Sequence, residues 1–167
     1  MSASERAGSF RSVLIWGVRA LLGAFALAPF VPLVAQSVPG LAGLASGLER
    51  WFSFQCQRDP TRALWLLGQP LPVCARCSGI YWGFGLGALV ARPRLRTGRL
   101  RAWVLAASLL MVLDVATEAL GMRPAWAPLR VLSGALLAYP VGVALFCAAR
   151  ARLTGDRARS EAVFDAE

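Results

Sequence analysis

The stretch Val73-Cys74-Ala75-Arg76-Cys77-Ser78-Gly79-Ile80-Tyr81-Trp82-Gly83 decides the architecture of the chain, because it joins a Cys-x-x-Cys pair directly to an apolar helix. Every fourth residue of this helix is small, namely Ala75, Gly79, Gly83 and Gly87. A later apolar segment carries a similar stripe, namely Gly134, Ala138 and Gly142. Small residues at this spacing allow two membrane helices to approach closely. We therefore predict that these two helices pack together.

The composition indicates a membrane protein. The chain has 167 residues, of which 57% are hydrophobic and 16% are charged, which is too apolar for an ordinary soluble domain. Four apolar segments are long enough, at roughly 20 residues per crossing, to span a bilayer as helices. They lie near residues 13–36, 73–91, 102–121 and 127–149. We predict an all-α fold, a four-helix transmembrane bundle that forms a single membrane domain over residues 13–153.

The first apolar segment reads as an uncleaved membrane anchor. It is longer than the apolar region of a signal peptide, which has about 7–15 residues. Arg19 lies close enough to its start to extend toward the membrane interface. Pro29 and Pro32 are expected to kink or end the helix.

The segment between the first two predicted membrane helices has two parts. Residues 37–54 place apolar side chains at helical spacing opposite polar ones, a pattern typical of a helix lying in the membrane interface. The loop that follows contains Cys56, and its Asp59-Pro60 pair favours a turn. We expect a further loop through residues 68–72 to lead to Cys74.

The distribution of arginines predicts the orientation. Residues 92–101 contain five arginines and no acidic residue, and short loops rich in arginine face the cytoplasm. With four crossings both termini fall on that side, which then carries eleven arginines against four on the other. We expect a multi-pass plasma-membrane protein with residues 1–12 and a disordered tail over residues 154–167 in the cytoplasm. The loop around Cys56 then lies outside, where the compartment is usually oxidising.

The charged residues also narrow the partners. All 18 basic residues are arginine, the formal net charge is +9 and there is no histidine, which excludes a His-ligated metal or haem. The arginines lie in short segments beside apolar runs, where anionic lipid and membrane orientation explain them. We therefore expect the lipid bilayer as a partner and no nucleic-acid binding.

Two acidic residues lie inside the third predicted membrane helix. Asp114 and Glu118 are four residues apart, on one face of its outer half. Carboxylates at that depth need partners and mark a candidate functional site, and Arg76 and Arg130 are at comparable depth. The alternative is a structural ion-pair network that fixes the rotation of the helices.

The cysteines are the other candidate site residues. Cys74 and Cys77 lie three residues apart at the start of a helix, whose positive end, with Arg76 between them, favours a thiolate. Cys56 joins them on the outer side. Cys147, near the inner end of the last helix, is interpreted as an apolar filler.

Two chemistries fit Cys56 and the Cys-x-x-Cys pair. In a thiol redox relay, one cysteine of the pair attacks, the other resolves, and Cys56 exchanges with them. A membrane quinone beside Tyr81 and Trp82 would then accept the electrons. In a metal site, the three thiolates bind zinc or another thiophilic ion, with Asp59, Asp114 or water as the fourth ligand. Of the two cofactors, the metal is favoured over the quinone.

Residues 50–88 resemble a known family. Cys56-Gln57-Arg58-Asp59-Pro60-Thr61-Arg62, followed by Pro72-Val73-Cys74-Ala75-Arg76-Cys77-Ser78-Gly79-Ile80-Tyr81, is similar to the motif of small prokaryotic membrane proteins classed as domain of unknown function 2085. The resemblance extends more loosely to about residue 142, with Asp114, Arg130 and Gly134 at family positions. It implies a membrane fold and assigns no activity.

In that family a histidine commonly follows the first cysteine, and this chain has Gln57 there. The resemblance implies that a metal site in this chain would take its fourth ligand from an acid or water. The arrangement also looks like that of the disulfide-forming membrane oxidoreductases, which are four-helix proteins with an outer Cys-x-x-Cys. Those enzymes use a second cysteine pair, whereas this chain has only Cys56 there.

The expected function is that of an integral membrane protein with an outer-face cysteine site for thiol-based metal binding or thiol redox chemistry. An alternative is a non-catalytic scaffold or partner subunit, in which a disulfide staples the long loop to the second helix. A small-molecule transporter is the third interpretation. Homo-oligomerisation through the glycine stripes is expected as well.

Overall fold

The computed structural model describes residues 3–57, 59–91, 97–124 and 126–155, with backbone alone for residues 3–7 and 97. The predictions for the arginine-rich residues 92–96 and for residues 156–167 of the tail fall outside the described residues. Six α-helices and one two-stranded sheet make up the described fold. In chain order, the elements are α1 (Ala3–Ala24), α2 (Val31–Gln36), α3 (Ala42–Gln55), β1 (Ala63–Leu66), β2 (Gln69–Cys74), α4 (Ala75–Val90), α5 (Thr97–Ala119) and α6 (Ala127–Thr154).

The predicted all-α membrane fold is confirmed. Among the described residues, three helical segments are long and apolar enough to cross a membrane, namely Gly8–Gln36, Gly98–Ala119 and Ala127–Thr154. The fourth predicted span corresponds to α4, which has 16 residues and a length of about 24 Å. That is less than the roughly 30 Å of a hydrocarbon core. The described fold therefore has three helical segments of full spanning length and one shorter apolar helix, α4, so the predicted count of four spans is approximate.

The short helix α4 is the centre of the bundle. It packs against α6 along most of its length, and against α1 and the 3-10 segment Phe25–Phe30 on other faces. Eight of its residues are buried. In contrast, α5 contacts mainly α6, and Leu105, Leu109 and Val112 on α5 are exposed, as expected for side chains that face lipid.

The glycine stripes explain the close packing of α4 and α6. A methyl group added at Gly79, Gly83 or Gly87 would overlap the backbone carbonyl of a residue on α6, and one added at Gly134 or Gly142 would overlap a carbonyl on α4. The two helices run parallel, because the contacts advance in the same direction along both. The predicted pairing of the two helices is confirmed. Both stripes lie in the contact between α4 and α6. The expected homo-oligomerisation stays a prediction.

The first apolar segment bends where its prolines lie. The helix α1 ends at Ala24, continues as a 3-10 helix that contains Pro29, and resumes as α2 with Pro32 in its first turn. Arg19 has a partner within the chain. Its guanidinium donates to the backbone carbonyl of Ala91, 2.5 Å away, just past the end of α4, where helix carbonyls lack intrahelical partners.

The loop predicted over residues 68–72 is instead part of an antiparallel hairpin. Its turn places Leu67 and Gly68 at φ of 52° and 77°, the left-handed conformations that two-residue hairpin turns use. Ala63 lies opposite Cys74. The prolines of β2 concealed the strand in the sequence, because proline cannot donate to a sheet ladder and is confined to edge positions.

Candidate functional site

Three cysteines from three elements meet at one end of the bundle. Cys56 follows the last residue of α3, Cys74 is the last residue of β2, and Cys77 lies in the first turn of α4. Their three sulfur atoms all lie within 4.8 Å of one another. All three residues are half-buried, and they carry free thiols. We call these residues the thiol triad.

The backbone holds the triad together. The backbone N–H of Cys74 donates to Sγ of Cys56 at 3.2 Å, which ties the end of α3 to the end of the hairpin. The register of the hairpin also favours this contact. Ala63, seven residues after Cys56, lies opposite Cys74, so the segment that contains Cys56 is held near Cys74. The hydrogen bond to Cys56 anchors the loop to the start of α4.

An aromatic wall lines the buried side of the triad. Cys56 and Cys77 pack against a cluster that contains Phe52, Val73 and Tyr81. The Tyr81 hydroxyl donates to the side-chain carbonyl of Gln55 at 2.5 Å. This wall restricts water on one side of the thiols.

Tyr81 and Trp82, the two residues expected beside a quinone, pack against other aromatic rings of the chain. The ring of Tyr81 lies 4.9 Å from that of Phe25 and 5.9 Å from that of Phe52. The ring of Trp82 stacks on that of Phe30 at 6.0 Å. Both rings are part of the packing between α4 and its neighbours.

The triad fits a thiophilic metal ion. A tetrahedral zinc ion with Zn–S bonds of about 2.3 Å places its sulfur ligands about 3.8 Å apart. Small rotamer adjustments from separations of at most 4.8 Å reach that geometry. Among the described Cys, Asp and Glu residues, the group whose possible ligand atoms lie within 4.8 Å of one another consists of the three cysteines. It does not include Asp59 or Asp114. The acids proposed from the sequence as fourth ligands lie elsewhere.

Asp114 belongs to a network of ion pairs. Its side chain is 1% exposed, and one of its oxygens pairs with Nη2 of Arg76 at 2.6 Å. The other oxygen pairs with Arg123, which also donates to the Asp114 backbone carbonyl at 2.9 Å. Ser133 lies 3.5 Å from the carboxylate. The guanidinium of Arg76, expected to stabilise a thiolate, is therefore directed to the carboxylates of α5.

Glu118 is the second carboxylate of the network. Arg130 donates to it through both Nε, at 2.9 Å, and Nη2. Arg76 and Arg62 approach the same carboxylate at 3.7 and 3.9 Å. The pairing of Asp114 and Glu118 with Arg76 and Arg130, expected from their depth in the sequence, is present in the structure.

The sequence did not indicate that Arg62, Arg123 and Ser133 join this network. Arg123 follows a turn in which Gly121 has a φ of 67°, so the chain reverses at the end of α5 and returns the guanidinium to Asp114. The signal available in the sequence was Gly121 itself, because a glycine just past a helix commonly takes this left-handed conformation.

Arg62 is positioned by a short turn. Asp59 precedes the 3-10 turn Pro60–Arg62 and accepts hydrogen bonds from the backbone N–H and the hydroxyl of Thr61, at 2.9 and 2.7 Å. These hydrogen bonds, first that of the hydroxyl, lower the pKa of Asp59. The carboxylate therefore stays charged and pairs with Nε of Arg62 at 3.4 Å.

The fold and the site define a small helical membrane protein with a thiol triad at one end of its helices. The chain belongs to the family described as "Predicted membrane protein (DUF2085)", whose model matches residues 56–145. The matched segment begins at Cys56 and includes the whole thiol triad and the ion-pair network. The family resemblance noted in the sequence is confirmed.

The chain is also similar to a curated protein that has no assigned activity. The uncharacterized protein MJ1492 of Methanocaldococcus jannaschii is 27% identical over 119 residues, which cover 69% of this chain and 76% of that protein. No solved structure gives a significant match.

Proposed function

We propose that this membrane protein binds a thiophilic divalent metal ion, with zinc as the reference case, through Cys56, Cys74 and Cys77. The observation that carries the proposal is the convergence of three sulfur atoms within 4.8 Å, delivered by three separate elements. A disulfide joins two of the three cysteines at a time. A metal ion uses all three, and thiolate is the ligand that soft ions prefer.

Three thiolates leave one position of a tetrahedral ion open. Structural zinc sites normally have four protein ligands, whereas sites with three keep a position for water or a substrate. Gln57 stands where the family commonly has histidine, so in this chain the fourth position falls to water or an exchangeable ligand. Such an open site suits binding and release of the ion, or chemistry on a bound water.

A second candidate function, thiol redox chemistry, is favoured by the placement of Cys74 and Cys77 at the start of α4. The positive end of a helix stabilises a thiolate. In this reaction the two thiols would form a disulfide and pass two electrons and two protons to a membrane quinone. The packing of Tyr81 and Trp82 against other rings of the chain makes this the weaker candidate.

The metal proposal predicts a stoichiometry of one ion per chain. We expect protein purified in neutral detergent under reducing conditions and loaded with zinc to retain one equivalent, measured by plasma mass spectrometry. Replacement of Cys56, Cys74 or Cys77 by serine should weaken zinc binding by at least about 100-fold in competition with a chelating indicator, since even residues behind the ligands affect affinity by 10–100-fold.

The matched control is Cys147→Ser, because Cys147 is also half-buried but packs against the Ala88, Val143 and Phe146 cluster at the other end of α4 and α6. This variant should bind zinc as the unmodified protein does. Equal binding by all four variants would contradict the metal site. Absence of zinc binding, together with two free thiols in protein isolated and denatured without reductant, would support the redox candidate instead.

We also propose that both termini lie in the cytoplasm and that the thiol triad faces the opposite side of the plasma membrane. The arginine excess in residues 92–101 supports this orientation. The helices α5 and α6 run antiparallel, as this orientation requires. Glu118 lies beside Arg130, and the indole N–H of Trp103 donates a hydrogen bond to the Leu136 carbonyl.

Reporter fusions test the orientation. A fluorescent protein fused after residue 155 should fluoresce in the cytoplasm, and an alkaline phosphatase inserted near Gly68, at the exposed hairpin turn, should be active outside it. Phosphatase inactive at Gly68 together with phosphatase active after residue 155 would reverse the topology.

A further inference from the structure

Four arginines gather around the carboxylates near the thiol triad. Arg62 and Arg76 each approach Glu118 within 4.0 Å, and Arg130 pairs with the same group. Arg76 also forms an ion pair with Asp114, which forms a second ion pair with Arg123. The four guanidiniums therefore belong to one connected set of ion pairs, which we call the arginine cluster: Arg62, Arg76, Arg123 and Arg130.

The charges in this set do not balance. Among the described residues, its carboxylates are Asp59, Asp114 and Glu118, so four cations face three anions. The inner part has the same excess in the described part of the chain, where Arg76, Arg123 and Arg130 pair with two acids, Asp114 and Glu118. An uncompensated charge in a region of low dielectric is costly, so this arrangement favours a further anion.

The exposure of the arginines increases along the cluster. The side chain of Arg130 is 4% exposed and that of Arg62 is 52% exposed, with Arg76 and Arg123 between them. The carboxylates fix the inner guanidiniums, while Arg62 stands at the accessible edge. A guanidinium offers five N–H donors, so the cluster has more donors than its carboxylate oxygens can use.

We propose that the arginine cluster binds a phosphate-type oxyanion at the edge formed by Arg62, independently of the thiol triad. Planar guanidinium groups recognise phosphate oxygens in pairs, with charge-assisted hydrogen bonds. The anion is either free inorganic phosphate or the phosphodiester of an anionic lipid, since both present the same oxygens.

Calorimetry on the full chain in neutral detergent tests the proposal. Inorganic phosphate is titrated against sodium chloride at equal ionic strength, and short-chain phosphatidylglycerol is titrated in a second arm. We expect saturable binding in at least one arm, weakened at least about tenfold by Arg62→Gln, because the variant loses a charge-assisted hydrogen bond to the anion. Binding of phosphate identifies a free anion, and binding of the lipid alone identifies a headgroup.

The control is Arg50→Gln, which removes the same charge from an exposed position of α3. This variant should bind as the unmodified protein does. Two results overturn the proposal: binding of neither ligand above the chloride level, and an equal loss of binding in the two arginine variants, which would indicate attraction by net charge alone. Arg62 is at the surface of the fold, so its replacement leaves the buried ion pairs in place.

Discussion

Replacement of Asp114 by alanine is expected to lower the free energy of unfolding by about 3–5 kcal/mol, the cost of removing one partner from a buried ion pair. The carboxylate of Asp114 is 1% exposed and pairs with two arginines, Arg76 and Arg123. Without it, the partly buried guanidiniums of Arg76 and Arg123 have one fewer counter-charge. The loss should be visible as a lower midpoint of unfolding when a denaturing detergent is titrated into mixed micelles.

The control for this prediction is Asp59→Ala. Asp59 pairs with Arg62, but both side chains are largely open to solvent, at 40% and 52% exposure, and exposed pairs contribute little. Its loss should be much smaller than that of Asp114. If the two variants unfold at the same detergent fraction, the network around Asp114 is not the stabilising feature that its burial implies.

Replacement of Gly83 by alanine is the second large effect that we expect. The added methyl group would overlap the backbone carbonyl of Ala135 on the parallel helix α6. A backbone carbonyl cannot rotate away as a flexible side chain can, so α4 and α6 must separate. We expect a loss of about 3 kcal/mol, the upper part of the usual range for overpacking, measured by the same detergent titration.

Gly17→Ala is the matched control, since Gly17 is also within a long helix, α1, but has nothing within 4 Å of an added methyl group. Because alanine is the better helix former, this variant should show no loss of stability. Equal destabilisation of the two variants would mean that helix flexibility at glycine matters more than the contact of α4 with α6.

Local spacing in the sequence was sufficient to predict several features of this protein. A small residue at every fourth position places all the small residues on one face of a helix, so the pairing of α4 with α6 followed from the pattern alone. The same argument put Asp114 and Glu118 on one face of α5. Hydropathy and length indicated the membrane fold, although α4 proved shorter than a full crossing.

The site was only partly predictable. The sequence identified Cys56, Cys74 and Cys77 as a group because the pair and the single cysteine flank one loop. Whether their sulfur atoms meet depended on the hairpin, whose register sets Ala63 opposite Cys74. The prolines of β2 hid that hairpin, since proline is unfavourable in most strands.

Tertiary structure alone decided which charges meet. The turn at Gly121 returns Arg123 to Asp114, and the turn at Asp59 brings Arg62 to Glu118. Asp114 is therefore paired with arginines and does not join the thiol triad, although the sequence analysis had considered it as a fourth metal ligand. Spacing along a helix determines which residues share a face, because the helical repeat is fixed. The partner of that face is determined by the turns that direct the chain between helices, and the sequence records the turns much less clearly.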